Sequence, residues 1–123
     1  MRTLPEICPD FREWPKSWKG IEQDLEYGEN LLEIMRPFAE HIAESNLSNK
    51  TVKKHLTNLW LLGGEIIRNV SLHEEYSIPA LEKLKQSVGS HGGPYCRHIE
   101  SEYQMESFDS TCRKFHKYLK NRA

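Results

Sequence analysis

A chain of 123 residues, 37% of them hydrophobic and 28% charged, has room for one hydrophobic core but not two, and its composition is neither disordered nor low-complexity. No apolar run reaches the roughly 18 residues of a membrane span, and the opening Met1-Arg2-Thr3-Leu4-Pro5-Glu6 has no apolar signal core, so a cytoplasmic protein is expected. The net charge of −1 conceals a segregation: residues 21–47 carry seven acids against Arg36, whereas 48–70 carry four bases against Glu65, so the two segments are expected to attract.

The first 27 residues hold Pro5, Pro9, Pro15 and Gly20 among Phe11, Trp14 and Trp18, which predicts an extended Pro/Trp-rich strap whose aromatics dock on the helices C-terminal to it. From Glu29 to Ser45 the apolar residues Leu31, Ile34, Met35, Phe38, Ala39 and Ile42 share one face, and Glu33, Arg36, Glu40 and Glu44 the other, the pattern of a surface helix. Pro37 predicts a kink or break near Glu33 to Arg36.

After a turn at Asn46-Leu47, Ser48 is placed to cap a second helix from Asn49 to about Val70. Its predicted core stripe is Val52, Leu56, Leu59, Trp60, Gly63, Ile66, Ile67 and Val70. The outer face combines Lys50, Lys53, Lys54, Thr57 and Arg68 with Leu61 and Gly64, an arrangement that implies contact with something. Either another helix of the same domain crosses closely at Gly63-Gly64, or an external partner docks on Leu61, Gly64 and Arg68. Ser77-Ile78-Pro79 then opens a third helix carrying Leu81, Leu84 and Val88. Gly89 stops it, residues 89–94 form a loop, and a last helix bears the stripe Met105, Phe108, Cys112, Phe115 and Leu119 with Lys114, Lys117 and Lys120 outward. The expected fold class is therefore all-α: a single domain over 1–123, with the strap at 1–27 and a bundle of about four to five helices at 28–121.

Cys8, Cys96 and Cys112 are odd in number and widely spaced, which argues for reduced thiols. Cys96, His98, Cys112 and His116 are a zinc-type ligand set by composition, but one residue between Cys96 and His98 is tighter than finger spacing and Cys112 lies in an apolar stripe, so no metal is expected. The glycines near 92 fit no phosphate-loop pattern, and neither thiol has an orienting third group, so no cofactor and no enzymatic activity are expected. His41, His55 and His73 are scattered singly, as edge or surface residues are.

The strongest functional signal is Leu47-Ser48-Asn49-Lys50-Thr51-Val52-Lys53-Lys54-His55-Leu56. A capped helix start offers backbone N–H groups and a positive dipole end, and bases crowd its first two turns, so Ser48, Lys50, Thr51 and Lys54 could hold a phosphate. Neutralisation by the acidic first helix is the competing expectation.

Phe38 to Ile42, the turn through Asn46-Leu47-Ser48, and Lys50-Thr51-Val52 with His55-Leu56 and Leu59 resemble the SAM-like N-terminal core-binding domain of tyrosine recombinases and phage integrases. The resemblance covers about 30 residues and implies a helical module that clamps duplex DNA, with Lys50, Thr51, Lys53, Lys54 and Asn58 facing it. Nothing after Val70 matches the catalytic domain of that family. A non-enzymatic DNA-binding module accessory to a bacterial or phage mobile element is therefore expected. The alternative is a protein-interaction or inhibitory protein, homodimer included, using the Leu61/Gly64 face.

Overall fold

In a computed structural model, described over residues 2–122, the chain is all-helical. The order is α1 (Leu4–Ile7), a 3₁₀ turn (Phe11–Glu13), α2 (Trp14–Trp18), α3 (Glu22–Ala43), α4 (Asn49–His73), α5 (Ala80–Ser87) and α6 (Glu102–Arg122). Among the described residues the only β-type pairing is an isolated bridge between Gly89 and Gly92. No helix there is long and apolar enough to cross a membrane.

The two long helices carry the core. α3 presents Leu31, Leu32, Met35, Phe38, Ala39 and Ile42, and α4 presents Val52, Leu56, Leu59, Leu62, Ile66 and Val70, all buried. α6 closes the other side of α4 through Phe108, Cys112, Phe115 and Leu119, with Phe38 and Phe115 rings 4.9 Å apart. α5 contributes Ala80 and Leu84 against α3 and α4. These faces form one contiguous core, as an amphipathic pattern in each helix requires.

Three expectations need correction. The N-terminal segment is not extended: Pro5 and Pro15 sit in the first turns of α1 and α2, where a missing N–H costs nothing, and so start short helices instead of preventing them, while Pro9 lies in the turn between the two. α3 begins at Glu22, not Glu29, so the expected strap boundary at residue 27 falls inside it. Asp24 explains the early start, because its buried carboxylate accepts the Gly20 and Ile21 N–H groups at 2.9 and 3.0 Å and the Tyr76 hydroxyl at 2.6 Å. Of the kink or break expected at Pro37, the break is absent: α3 continues through the proline, with the buried Met35, Phe38 and Ala39 holding both sides of it on the core.

Arg2 fixes the α3–α4 turn. Its guanidinium donates to the Ala43, Ser45 and Leu47 carbonyls at 2.7, 2.7 and 2.5 Å and to Asn49 Oδ1 at 2.7 Å, satisfying carbonyls that the end of α3 leaves open. In the later loop Gly92 has φ +134°, a conformation glycine adopts freely, and Gly93 N–H donates to Asp109 Oδ1 at 3.0 Å to dock the loop on α6.

Candidate nucleic-acid interface

Ser48 caps α4 as expected: its Oγ accepts the Thr51 N–H at 3.2 Å and donates to Thr51 Oγ1 at 3.0 Å. Lys50 and Lys53 are exposed on the first two turns. Lys53 turns toward α1, beside Glu6 and Ile7, whereas Thr51 and Lys54 border α6. The Lys54 ammonium donates to the Tyr103 hydroxyl and lies 4.7 Å from its ring centroid, and with Lys50 it holds the Tyr103 phenol below the usual tyrosine range.

Asn58 is not available to a ligand. It is 8% exposed, and its amide donates to Ser107 O, Ser107 Oγ and Thr111 Oγ1 at 3.0–3.1 Å, so it belongs to the α4–α6 seam. His55 is likewise buried, against the expectation of a surface position, with Nδ1 2.7 Å from Thr111 Oγ1. Burial, and then the nearby Lys114 and Lys54, hold its pKa below that of an ordinary imidazole.

The expected neutralisation of α4 by α3 is not made through ion pairs. Among the described residues the pairs are Lys16–Glu13, Lys19–Glu22, Arg36–Glu33, Arg68–Glu65 and Lys83–Glu75. None crosses from α3 to α4, and Lys50, Lys53 and Lys54 have no carboxylate within 4.0 Å.

The second candidate face lies further along α4. Leu61, Gly64 and Arg68 line a groove of about 740 Å³ together with Trp18, Trp60 and Leu72. Trp60 departs from the predicted core stripe: it is 37% exposed, and Leu62 is buried in that stripe instead. The two indoles interlock, Trp18 Nε1 donating to Trp60 O at 3.0 Å and Trp60 Nε1 to Ser17 Oγ at 2.8 Å. Gly63 shows why the glycine pair exists, because a Cβ there would lie 2.2 Å from Trp18 Cζ2. The close crossing is therefore internal, with a side chain of the N-terminal segment as the crossing element. Glu65, 5% exposed, accepts from Arg68 at 3.3 Å at the edge of this groove. Arg97 and His98 complete its rim.

No protein-family model, curated protein or solved structure matches this chain. Its site chemistry rests on its own residues. Cys8, Cys96 and Cys112 are free and buried, and burial is the leading cause of their raised pKa values, to about 12 for Cys8 and Cys112. His98 lies at the Trp groove and His116 beside Lys85 and Lys120 at another surface. Among the described residues no three His, Cys, Asp or Glu side chains converge as a metal site.

Sequence reasoning missed Arg2, Asp24 and the α6 groups that face α4. For α6 a signal was present: Arg113 and Lys114 succeed Ser107 and Ser110 at helical spacing, on the side of the stripe that flanks Cys112.

Proposed function

We propose that the chain is a non-enzymatic helical module that binds duplex DNA by its phosphate backbone, through Ser48, Lys50, Thr51, Lys53 and Lys54 at the start of α4. The observation that carries this reading is that three lysines crowd a capped helix start with no carboxylate partner among the described residues. The resemblance of residues 38–59 to core-binding domains favours duplex DNA as the ligand and a role accessory to a mobile element. Such contacts position a protein without reading bases.

Fluorescence anisotropy with random-sequence duplex tests it. Roughly four phosphate contacts predict about a hundredfold loss of affinity between about 50 and 200 mM salt. The triple variant Lys50→Glu/Lys53→Glu/Lys54→Glu should lose binding and keep its helical circular dichroism. Wild-type affinity in that variant refutes the reading.

A second reading, a protein-interaction module or homodimer, is favoured by the groove that joins Leu61, Gly64 and Arg68 to Trp18 and Trp60, since Trp and Arg are the residues that dominate interface energetics. A strict monomer by light scattering across a wide concentration range removes its homodimer form.

A further inference from the structure

We infer that the groove between α4 and α6 is a proton-linked site for a single phosphate, with His55 as the group that couples binding to pH. The inference rests on the DNA-binding reading, to which it adds α6 as half of the contact surface.

Thr51, Lys54 and His55 of α4 and Ser107, Ser110 and Arg113 of α6 line a groove of about 560 Å³. Two cations and three hydroxyls are the donor set that phosphate oxygens take: the Arg fork and the Lys charge supply charge-assisted bonds, and the hydroxyls adapt by rotation. Lys50 and Lys114 add positive charge close by, through their effects on Tyr103 and His55. Arg113 makes only a long bond, 3.5 Å to His91 O, and is exposed.

The hydrogen-bond network assigns the state of His55. Thr111 Oγ1 donates to Ser107 O at 3.3 Å and accepts from Asn58 Nδ2 at 3.0 Å, so its single proton is already committed. His55 Nδ1, 2.7 Å from the same oxygen, is therefore the donor, and Nε2 is the nitrogen that gains a proton on acidification. Lys114 on α6 and Lys54 on α4 oppose that proton; the groove is also lined by Arg113, a third cation, by Glu106, its one carboxylate, and by Tyr103, its remaining titratable group. A bound phosphate offsets the three cations and so raises the His55 pKa. By linkage, phosphate binds more tightly as pH falls through the range in which the bound form takes up this proton, by up to about tenfold for each pKa unit of difference. Glu106 opposes the anion by charge.

The test is duplex anisotropy at pH 7.5 and 6.0 on the full chain, with Arg113→Gln, Glu106→Gln and His55→Gln, and circular dichroism at both pH values as a folding control. Wild type should bind several-fold more tightly at pH 6.0. Arg113→Gln should weaken binding and reduce the salt slope by about one contact. Glu106→Gln should strengthen binding, and His55→Gln should remove the pH dependence. If Lys50→Glu/Lys53→Glu abolishes binding while Arg113→Gln and Glu106→Gln both bind like wild type, the groove is not a phosphate site and the DNA reading stands. If no duplex binds, inorganic phosphate titrated against chloride of equal ionic strength decides, read from the His55 ring resonances. A rise in the His55 pKa specific to phosphate keeps the groove without DNA, and no change ends both.

Discussion

Replacing Gly63 and Gly64 one at a time by alanine should give effects of very different size, although the residues are neighbours on one helix. A Cβ on Gly63 would meet Trp18 Cζ2, Cη2 and Cε2 at 2.2, 2.4 and 2.8 Å, distances no rotamer change of the methyl can relieve. The indole must move, at an overpacking cost of about 1–3 kcal/mol, and its hydrogen bond to Trp60 O loses about 1 kcal/mol more. Alanine returns about 1 kcal/mol of helix propensity, so Gly63→Ala is expected to destabilise by about 1–3 kcal/mol. At Gly64 the nearest atom, Trp18 Cδ1, is 3.3 Å away, and a shift of a few tenths of an ångström by a half-buried ring suffices. There the propensity gain should roughly cancel the contact, leaving stability near wild type. Urea unfolding followed by far-UV circular dichroism, with Trp fluorescence reporting the indoles, resolves a gap of about 2 kcal/mol as a midpoint shift of roughly 1 M or more. Equal stability of the two variants would refute the packing of Trp18 on α4, and with it the internal account of the glycine pair.

Two further outcomes concern buried groups. Burial raises the Asp24 pKa, but its hydrogen bonds from Tyr76, Ile21 and Gly20 outweigh this and hold it below the ordinary carboxylate value, so its contribution is present above about pH 4 and lost as pH falls through the folded pKa. Asp24→Asn should cost about 1–3 kcal/mol at pH 7 and flatten the acid limb of a stability–pH curve, and an unchanged limb would remove Asp24 from that role. With burial pushing Cys8 and Cys112 up to about 12, very little thiolate forms at pH 8, so Ellman's reagent should react slowly with the folded chain and promptly once it is unfolded. A fast thiol in the native protein would contradict the burial of that cysteine.

The helices were legible where one periodic face meets one core. The stripes of α3, α4 and α6 and the Ser48 cap needed only helical spacing and a side-chain oxygen at the right offset. The N-terminal segment was misjudged because proline carries two meanings: a breaker inside a helix and a starter in its first turn. Which one applies depends on whether Trp14 and Phe11 find a core to pack on, a tertiary fact. Trp60 was assigned to the core because its position lies between two faces, but Leu62 takes the core side and the Trp60 indole finds its hydrogen-bond acceptor in Ser17, 43 residues away. Asn58 and His55 read as surface groups for a similar reason. Polar residues on a helix face look solvated until a second helix brings Thr111 and Ser107 to meet them.

The burial of Asn58 constrains the proposed DNA contact. At a rise of about 1.5 Å per residue, Lys50 and Lys54 are about 6 Å apart along α4, and one turn beyond them the α6-facing side of the helix is occupied by the Asn58–Thr111–Ser107 seam. On the proposed reading, the α6-facing side of α4 therefore cannot lie lengthwise against a duplex. It meets the backbone end-on, and any widening of the footprint runs sideways onto Arg113 and Lys114 of α6. An end-on helix presenting Ser, Lys and Thr offers bonds to phosphate and none to base edges, so affinity should be steep in salt and indifferent to sequence. Target choice would then have to enter elsewhere. The Trp18–Trp60 groove begins about 15 Å further along α4 than Lys50, and Trp60 shares a cleft with Lys53, so on the proposed readings a protein partner in the groove and a duplex at the helix start would meet near Lys53.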